Sequence, residues 1–318
     1  MNRKILIVAG PTAVGKTEYA IKLAQRLGGE IVSADSMQLY RFMDIGSAKP
    51  TAEEQAQVKH YLVDEIDPRE PFSAALYQRR AKAAIEDIFS KGRLPVISGG
   101  TGLYVNSILY DMDFTVSSGD GDRRKLLEQE AQQFGNEYVH EKLRLLDPEA
   151  AARIHPNNLK KVIRALEAAE SGVKIPSFER SFVKTADYDS ILIGLCRDRE
   201  ELYRRIDRRV DLLMEAGLVE EIRGLLAMGL TEENISMKGI GYKEIIGYLR
   251  GEYPQEEAVR LVKRNTRHYA KRQMTWFRRL PGMKWFALSE EQSAEEALDA
   301  MTAYAEAALA GEILGDER

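Results

Sequence analysis

Eight residues near the N-terminus, Gly10-Pro11-Thr12-Ala13-Val14-Gly15-Lys16-Thr17, constrain this chain more than any other feature. They have the form G-x-x-x-x-G-K-[ST] and stand between an apolar run, Lys4–Ala9, and helical spacing over Lys16–Leu27. A loop of this kind exists only as the turn from a β-strand into a helix. Its glycines let backbone N–H groups face inward, and the helix N-terminus adds partial positive charge. Lys16 supplies a point charge, and the Thr17 hydroxyl is a ligand for Mg²⁺. The loop therefore predicts a di- or triphosphate site. It leaves open which phosphate compound binds and what becomes of it.

The next hundred residues repeat the strand–helix alternation. Ile31–Ala34, Tyr61–Ile66 and Leu94–Ser98 read as short buried strands, and Ser73 caps a long helix over Ala74–Ser90. Alternation of this kind predicts an α/β fold, a P-loop-type parallel sheet flanked by helices. The pattern then breaks at Asp111–Asp122, rich in Gly, Ser and Asp, and again at Ser171–Asp189. Between these stretches every periodic segment is helical. A strand returns at Ile191–Leu195, and the remainder is mainly helical. The expected organisation is a first core part at 1–114, an all-helical insertion at 115–189 and a second core part at 190–318. The two loop-rich connections are expected to act as hinges, with the insertion closing on a partner.

Charge narrows the class of partner. The total is −4, yet Ala258–Ser289 holds nine Lys/Arg and no acid, which leaves the rest of the chain at −13. Gln255–Leu280 reads as one helix, with Val259, Val262, Thr266, Tyr269, Gln273, Trp276, Phe277 and Leu280 as its buried stripe. Lys263, Arg267 and Lys271 recur on another face, with Arg264, His268 and Arg272 beside them. This acid-free face is expected to meet a phosphate backbone. The single cysteine, Cys196, precludes an intramolecular disulfide, and no apolar run reaches the roughly 18 residues of a membrane span. The expectation is a cytoplasmic protein with no membrane contact.

Two carboxylates compete for roles beside the phosphate loop. Asp35 follows the second strand, where ligands of parallel α/β sheets react, and is either a base or a turn residue. Asp64 ends the third and is either an Mg²⁺ ligand or a surface residue. After the fourth strand comes Ser98-Gly99-Gly100-Thr101-Gly102, either a second anion loop or a tight connection.

Six ordered motifs carry a family resemblance: GPTAVGKT at 10–17, DSMQLY at 35–40, GGTGLY at 99–104, HPNN…RALE at 155–167, KGIGYKE at 238–244 and TRHYAKRQMTWFR at 266–278. Together they resemble the bacterial tRNA dimethylallyltransferases, also called tRNA isopentenyltransferases, over residues 3 to about 290. The resemblance implies transfer of a dimethylallyl group from dimethylallyl diphosphate to N6 of the adenosine 3′ of the anticodon, position 37. The P-loop, Gly10 to Thr17, would then hold the leaving diphosphate with Mg²⁺ on Thr17, and Asp35 would be the base. Thr101 and Arg199 match positions facing the diphosphate or the reaction channel. Gln38 would hold a target base that has left the anticodon-loop stack. The tRNA anticodon arm would meet Asp35-Ser36-Met37-Gln38, Thr101, Arg124 and Lys160-Lys161-Val162-Ile163-Arg164. It would also meet the helix residues Lys263, Arg267, Lys271 and Arg272. Where the family commonly has Asp-x-x-Arg after His-Pro-Asn, this chain has Asn158-Leu159-Lys160-Lys161, which keeps charge and loses bidentate geometry. The enzyme is expected to be a monomer. Two other readings fit parts of the pattern: a P-loop small-molecule kinase, and a nucleotide-regulated RNA-binding protein without catalysis.

Overall fold

The computed structural model describes residues 3–112, 114, 121–172, 183–291 and 293–312. The chain divides into two compact units, residues 1–109 with 186–318, and residues 110–185. Most of the expected hinge residues, 115–120 and 173–182, lie outside the described residues.

The first unit is built on six parallel strands: β1 (Lys4–Ala9), β2 (Gly29–Ser33), β3 (His60–Tyr61), β4 (Leu94–Gly99), β5 (Asp189–Arg197) and β6 (Lys284–Leu288). Their order is β3-β2-β4-β1-β5-β6, which makes this the α/β sheet that the strand–helix alternation predicts. β1 is central and buried from Ile5 to Ala9, as a strand covered on both faces must be. Helices α1 (Lys16–Arg26), α3 (Ala74–Ser90) and α4 (Gly102–Leu109) flank the sheet, with a short α2 (Ala52–Gln57) between β2 and β3. Ser73 Oγ accepts the Leu76 N–H at 3.2 Å and starts α3 where the sequence places it.

Two strands differ from expectation. β3 stops at Tyr61 because Leu62 and Asp64 are left-handed, at φ 60° and 59°, and the Glu65 carboxylate takes the Leu62 N–H at 2.7 Å. β6 has no counterpart in the strand pattern of the sequence; it pairs with β5 at the sheet edge.

Adjacent strand ends are tied together. The Ala34 N–H donates to Ser98 O at 2.7 Å, and Ala34 O takes the Thr101 N–H at 3.0 Å. A side chain on Gly99 would stand 2.2 Å from Ala34 O, backbone against backbone. Gly99→Ala is therefore expected to destabilise the protein by about 1–3 kcal/mol, the usual cost of overpacking. An unshifted midpoint in urea unfolding would show that this crossing is loose.

The later helices of this unit are α9 (Arg199–Glu215), α10 (Leu218–Ala227), α11 (Tyr242–Leu249), α12 (Gln255–Phe277) and α13 (Ala294–Ala310). The second unit holds α5 (Gly121–Phe134), α6 (Asn136–Leu146), α7 (Pro148–Arg153) and α8 (Leu159–Glu170) around its own apolar core. Val162 and Ile163, expected at an RNA surface, belong to that core and are buried. Lys160, Lys161 and Arg164 lie on the outer side of the same helix. Arg124 forks onto Glu167, with Nε and Nη2 at 3.1 and 2.6 Å from its two carboxylate oxygens.

Candidate active site

The C-terminal ends of β1, β2 and β4 open into a cleft of about 830 Å³. The phosphate loop forms one wall. Its conformation is imposed from outside: Arg205 Nε donates to Ala13 O and Arg197 Nε to Val14 O, each at 3.0 Å. With those carbonyls drawn outward and Ala13 left-handed at φ 63°, the loop adopts the alternating turn that directs N–H groups inward. Gly15, at φ 111°, begins α1 with no side chain capping the helix. Lys16 folds back onto Pro11 O at 2.7 Å.

Lys16 shares the cleft with Arg209, a residue that no sequence motif singles out. Burial, then the Arg209 charge, lower the Lys16 pKa to about 7, while Asp35 opposes the shift. Burial also lowers Arg209, which Asp35 partly offsets. Arg209 makes no hydrogen bond within the protein among the described residues. Two desolvated cations with so little internal compensation are what an anion site requires.

Asp35 faces the same cleft. Its Oδ1 accepts the Met37 N–H at 2.9 Å and the Gln38 N–H at 3.4 Å, so the side chain builds its own turn. Oδ2 accepts no hydrogen bond among the described residues. Turn residue and base, the two alternatives for Asp35, are thus compatible on one side chain. Thr101 Oγ1 takes the Ser36 N–H at 3.1 Å, tying the Gly-rich turn to the Asp35 segment. Gln38 is fixed at both ends, its Nε2 on Ala48 O and its Oε1 on Ser33 Oγ, each at 3.2 Å. Tyr40, Phe72 and Tyr104 supply apolar wall, and Tyr269, pushed up to about 12 mainly by burial, lies beside Thr101 and Gln273.

Helix α12 closes the site from behind. Buried Gln273 accepts the Thr12 N–H at 2.9 Å through Oε1 and donates to Gly100 O at 2.8 Å through Nε2. It spans the phosphate loop and the Gly-rich turn. Trp276 fills the space over Gly102, where a Cβ would stand 2.3 Å from the indole, and Asn265 donates to Glu244 at 2.7 Å.

Several expected site residues stand elsewhere. Arg199 begins α9 outside the cleft, exposed and stacked over Tyr203 at 5.3 Å; Arg205 and Arg209, further along the same helix, reach the site instead. Asp64 is ion-paired to Lys49 at 2.8 Å and does not line the cleft. Lys263 and Arg267 cross to α9, pairing with Asp211 at 2.6 Å and Asp207 at 2.7 Å. They bind helix to helix. The exposed basic row on α12 is Arg264, His268 and Lys271, with Arg272 at the cleft over Tyr269.

Residues 38–280 match the family described as IPP transferase. The chain belongs to this family. A tRNA dimethylallyltransferase of Alkaliphilus oremlandii is 54% identical over 296 residues, spanning 93% of this chain and 95% of that one. The tRNA dimethylallyltransferase of Clostridioides difficile is 51% identical over 292 residues, 92% and 94% of the two chains. Among solved structures, the full-length tRNA isopentenylpyrophosphate transferase of Bacillus halodurans aligns at 41% identity over 98% of both chains, with a TM-score of 0.74. A eukaryotic dimethylallyltransferase acting on tRNA aligns with a TM-score of 0.85 at 27% identity, over 99% of this chain and 82% of its own. Membership of the IPP transferase family sets aside the small-molecule kinase, the other reading of the same loop.

Proposed function

We propose that this IPP transferase moves the dimethylallyl group of dimethylallyl diphosphate onto N6 of adenosine 37 in tRNA. The observation that carries this reading is the pairing of Asp35 Oδ2, without a protein partner among the described residues, with Lys16 and Arg209 in one cleft. The adenine N6 lone pair is delocalised into the ring, so the amine needs a base as its new bond forms. The C1–oxygen bond of the allyl group breaks and diphosphate leaves with the electron pair. The N6–C1 bond forms, and the N6 proton goes to Asp35. Lys16, Arg209 and the inward N–H groups stabilise the charge that develops on the departing diphosphate. The apolar wall of Tyr40, Phe72 and Tyr104 keeps water from the allylic carbon.

The residues also fit Mg²⁺. Thr17 lines the cleft, and its hydroxyl makes no hydrogen bond among the described residues, which leaves one neutral oxygen for a cation. Such a site suits an ion that keeps its waters and takes its other oxygens from the substrate. Bound by Thr17 and the diphosphate, Mg²⁺ would neutralise leaving-group charge.

No helix among the described residues is long and apolar enough to cross a membrane. A tRNA substrate supports a cytoplasmic place of work. Mass analysis tests the reaction: an anticodon stem-loop incubated with dimethylallyl diphosphate and protein gains C5H8 on one adenosine. Phosphate transfer from ATP in its place would overturn the reading.

The α12 row adds a second expectation. Arg264→Ala with Lys271→Ala weakens binding to every tRNA alike and lowers the salt slope by about 0.7–0.9 for each phosphate left unneutralised. Filter binding across a salt series measures this. An unchanged slope would remove the row from the interface.

A further inference from the structure

We propose that Glu221 is a positioning residue for the acceptor base, acting at a distance through the 44–48 loop and Gln38. The proposal rests on the transfer reaction above. Glu221 lies in the first turn of α10 and does not line the cleft. Its Oε2 accepts the N–H groups of Asp44 and Ile45 at 2.7 and 2.6 Å, and its Oε1 accepts that of Gly46 at 3.0 Å. The Tyr242 hydroxyl donates to the same Oε1 at 3.0 Å. Three successive backbone N–H groups around one anion form a nest of the kind that elsewhere receives a ligand phosphate. Here the protein's own carboxylate occupies it, so the loop is a clamped strut.

The clamp holds a segment whose flanking backbone is strained. Phe42 and Ala48, at either end, are both left-handed without being glycine, at φ 65° and 45°. Such backbone persists only where its surroundings over-determine it. Tyr242, fully buried, fills the space over Gly46, where a Cβ would stand 2.5 Å from the ring. At its far end the loop presents Ala48 O, which holds Gln38 Nε2, and Lys49, whose Nζ donates to Tyr40 O at 2.9 Å. Glu221 thus fixes the carbonyl that decides which way the Gln38 amide points. Without it, three N–H groups lose a charged acceptor, and the strained loop can relax away from Gln38.

The test is a double-mutant cycle on the full chain, reading kcat and KM for an anticodon stem-loop and, separately, Kd for inorganic diphosphate with Mg²⁺. Glu221→Gln removes the charge and one acceptor atom from the nest. It is expected to lower kcat/KM for RNA about tenfold or more, as small misplacements in a site do, while diphosphate Kd stays within about twofold. In a Gln38→Ala background the same change should add less than about twofold, because the effect has lost its route. Glu221→Asp, which keeps the charge on a shorter arm, should restore part of the rate, and it serves if the glutamine variant folds poorly. Losses that multiply between Glu221→Gln and Gln38→Ala, or a diphosphate Kd that worsens in step with kcat, would overturn the proposal while leaving the reaction standing. A wild-type protein that transfers no dimethylallyl group would overturn the reaction, and this proposal with it.

Discussion

Asp35→Asn should fold and bind both substrates like the parent, yet transfer dimethylallyl at least ~10²-fold more slowly, the usual loss when a general base is removed. The asparagine oxygen can still accept the Met37 and Gln38 N–H groups, so the turn at the end of β2 survives. What disappears is Oδ2 as a proton acceptor. The neighbouring Lys16 and Arg209 also lose the carboxylate that raises their pKa values, so substrate affinities are compared at pH 6, where both remain charged. Single-turnover rates with saturating RNA isolate the chemical step from binding. A rate within about threefold of the parent would remove Asp35 from proton transfer and leave it as a turn residue.

Lys16→Ala should fail differently. Loss of a charged hydrogen-bond donor costs about 1.5–3 kcal/mol, so diphosphate Kd should rise some tenfold to a hundredfold while RNA affinity holds. The pH dependence makes the assignment specific. With its pKa near 7 in the free protein, Lys16 is largely neutral at pH 8, whereas the proposed contact with diphosphate takes the ammonium form. Binding at pH 8 therefore takes up a proton, and affinity weakens as pH rises above about 7. Titration calorimetry in two buffers of different ionisation heat measures the uptake directly, and it should vanish in Lys16→Ala. Wild-type binding at pH 8 with no proton uptake would contradict the assignment. The same group sets a stability trend. Between about 7 and 10.5 the unfolded chain holds this proton and the folded chain does not, so the Lys16 contribution becomes more favourable as pH rises through that window.

The strand–loop–helix turn at 10–17 and the parallel sheet are legible in the sequence because both rest on local pattern: a spaced glycine–lysine motif, and short apolar runs between helices. The features that escape it share another cause. β6 (KWFAL) sits half-buried at the sheet edge behind a basic run, so its strand character comes from pairing with β5. The end of β3 is set by left-handed Leu62 and Asp64, which periodicity does not register. Arg199, Arg205 and Arg209 look alike in an arginine-rich helix. The stripe of Leu202, Ile206 and Val210, all buried, decides which of them turns toward the phosphate loop, and that spacing is present in the sequence. The pairing of Lys263 and Arg267 with Asp211 and Asp207 is not. Each helix alone shows an i, i+4 row of one sign, and only their packing reveals that the rows face each other.

The three anchors along α12 have a consequence for how this protein can change over time. Asn265 meets Glu244, Gln273 meets the phosphate loop and the Gly-rich turn, and Trp276 covers Gly102. One residue inserted between the first anchor and the last would turn everything beyond it by about 100° and shift it about 1.5 Å along the axis. The amide would leave the loop, and the indole would leave its glycine. Substitutions on the outer row of this helix leave all three anchors in place. Insertions and deletions cannot enter its middle, and any variation in length must be absorbed before Asn265 or after Trp276.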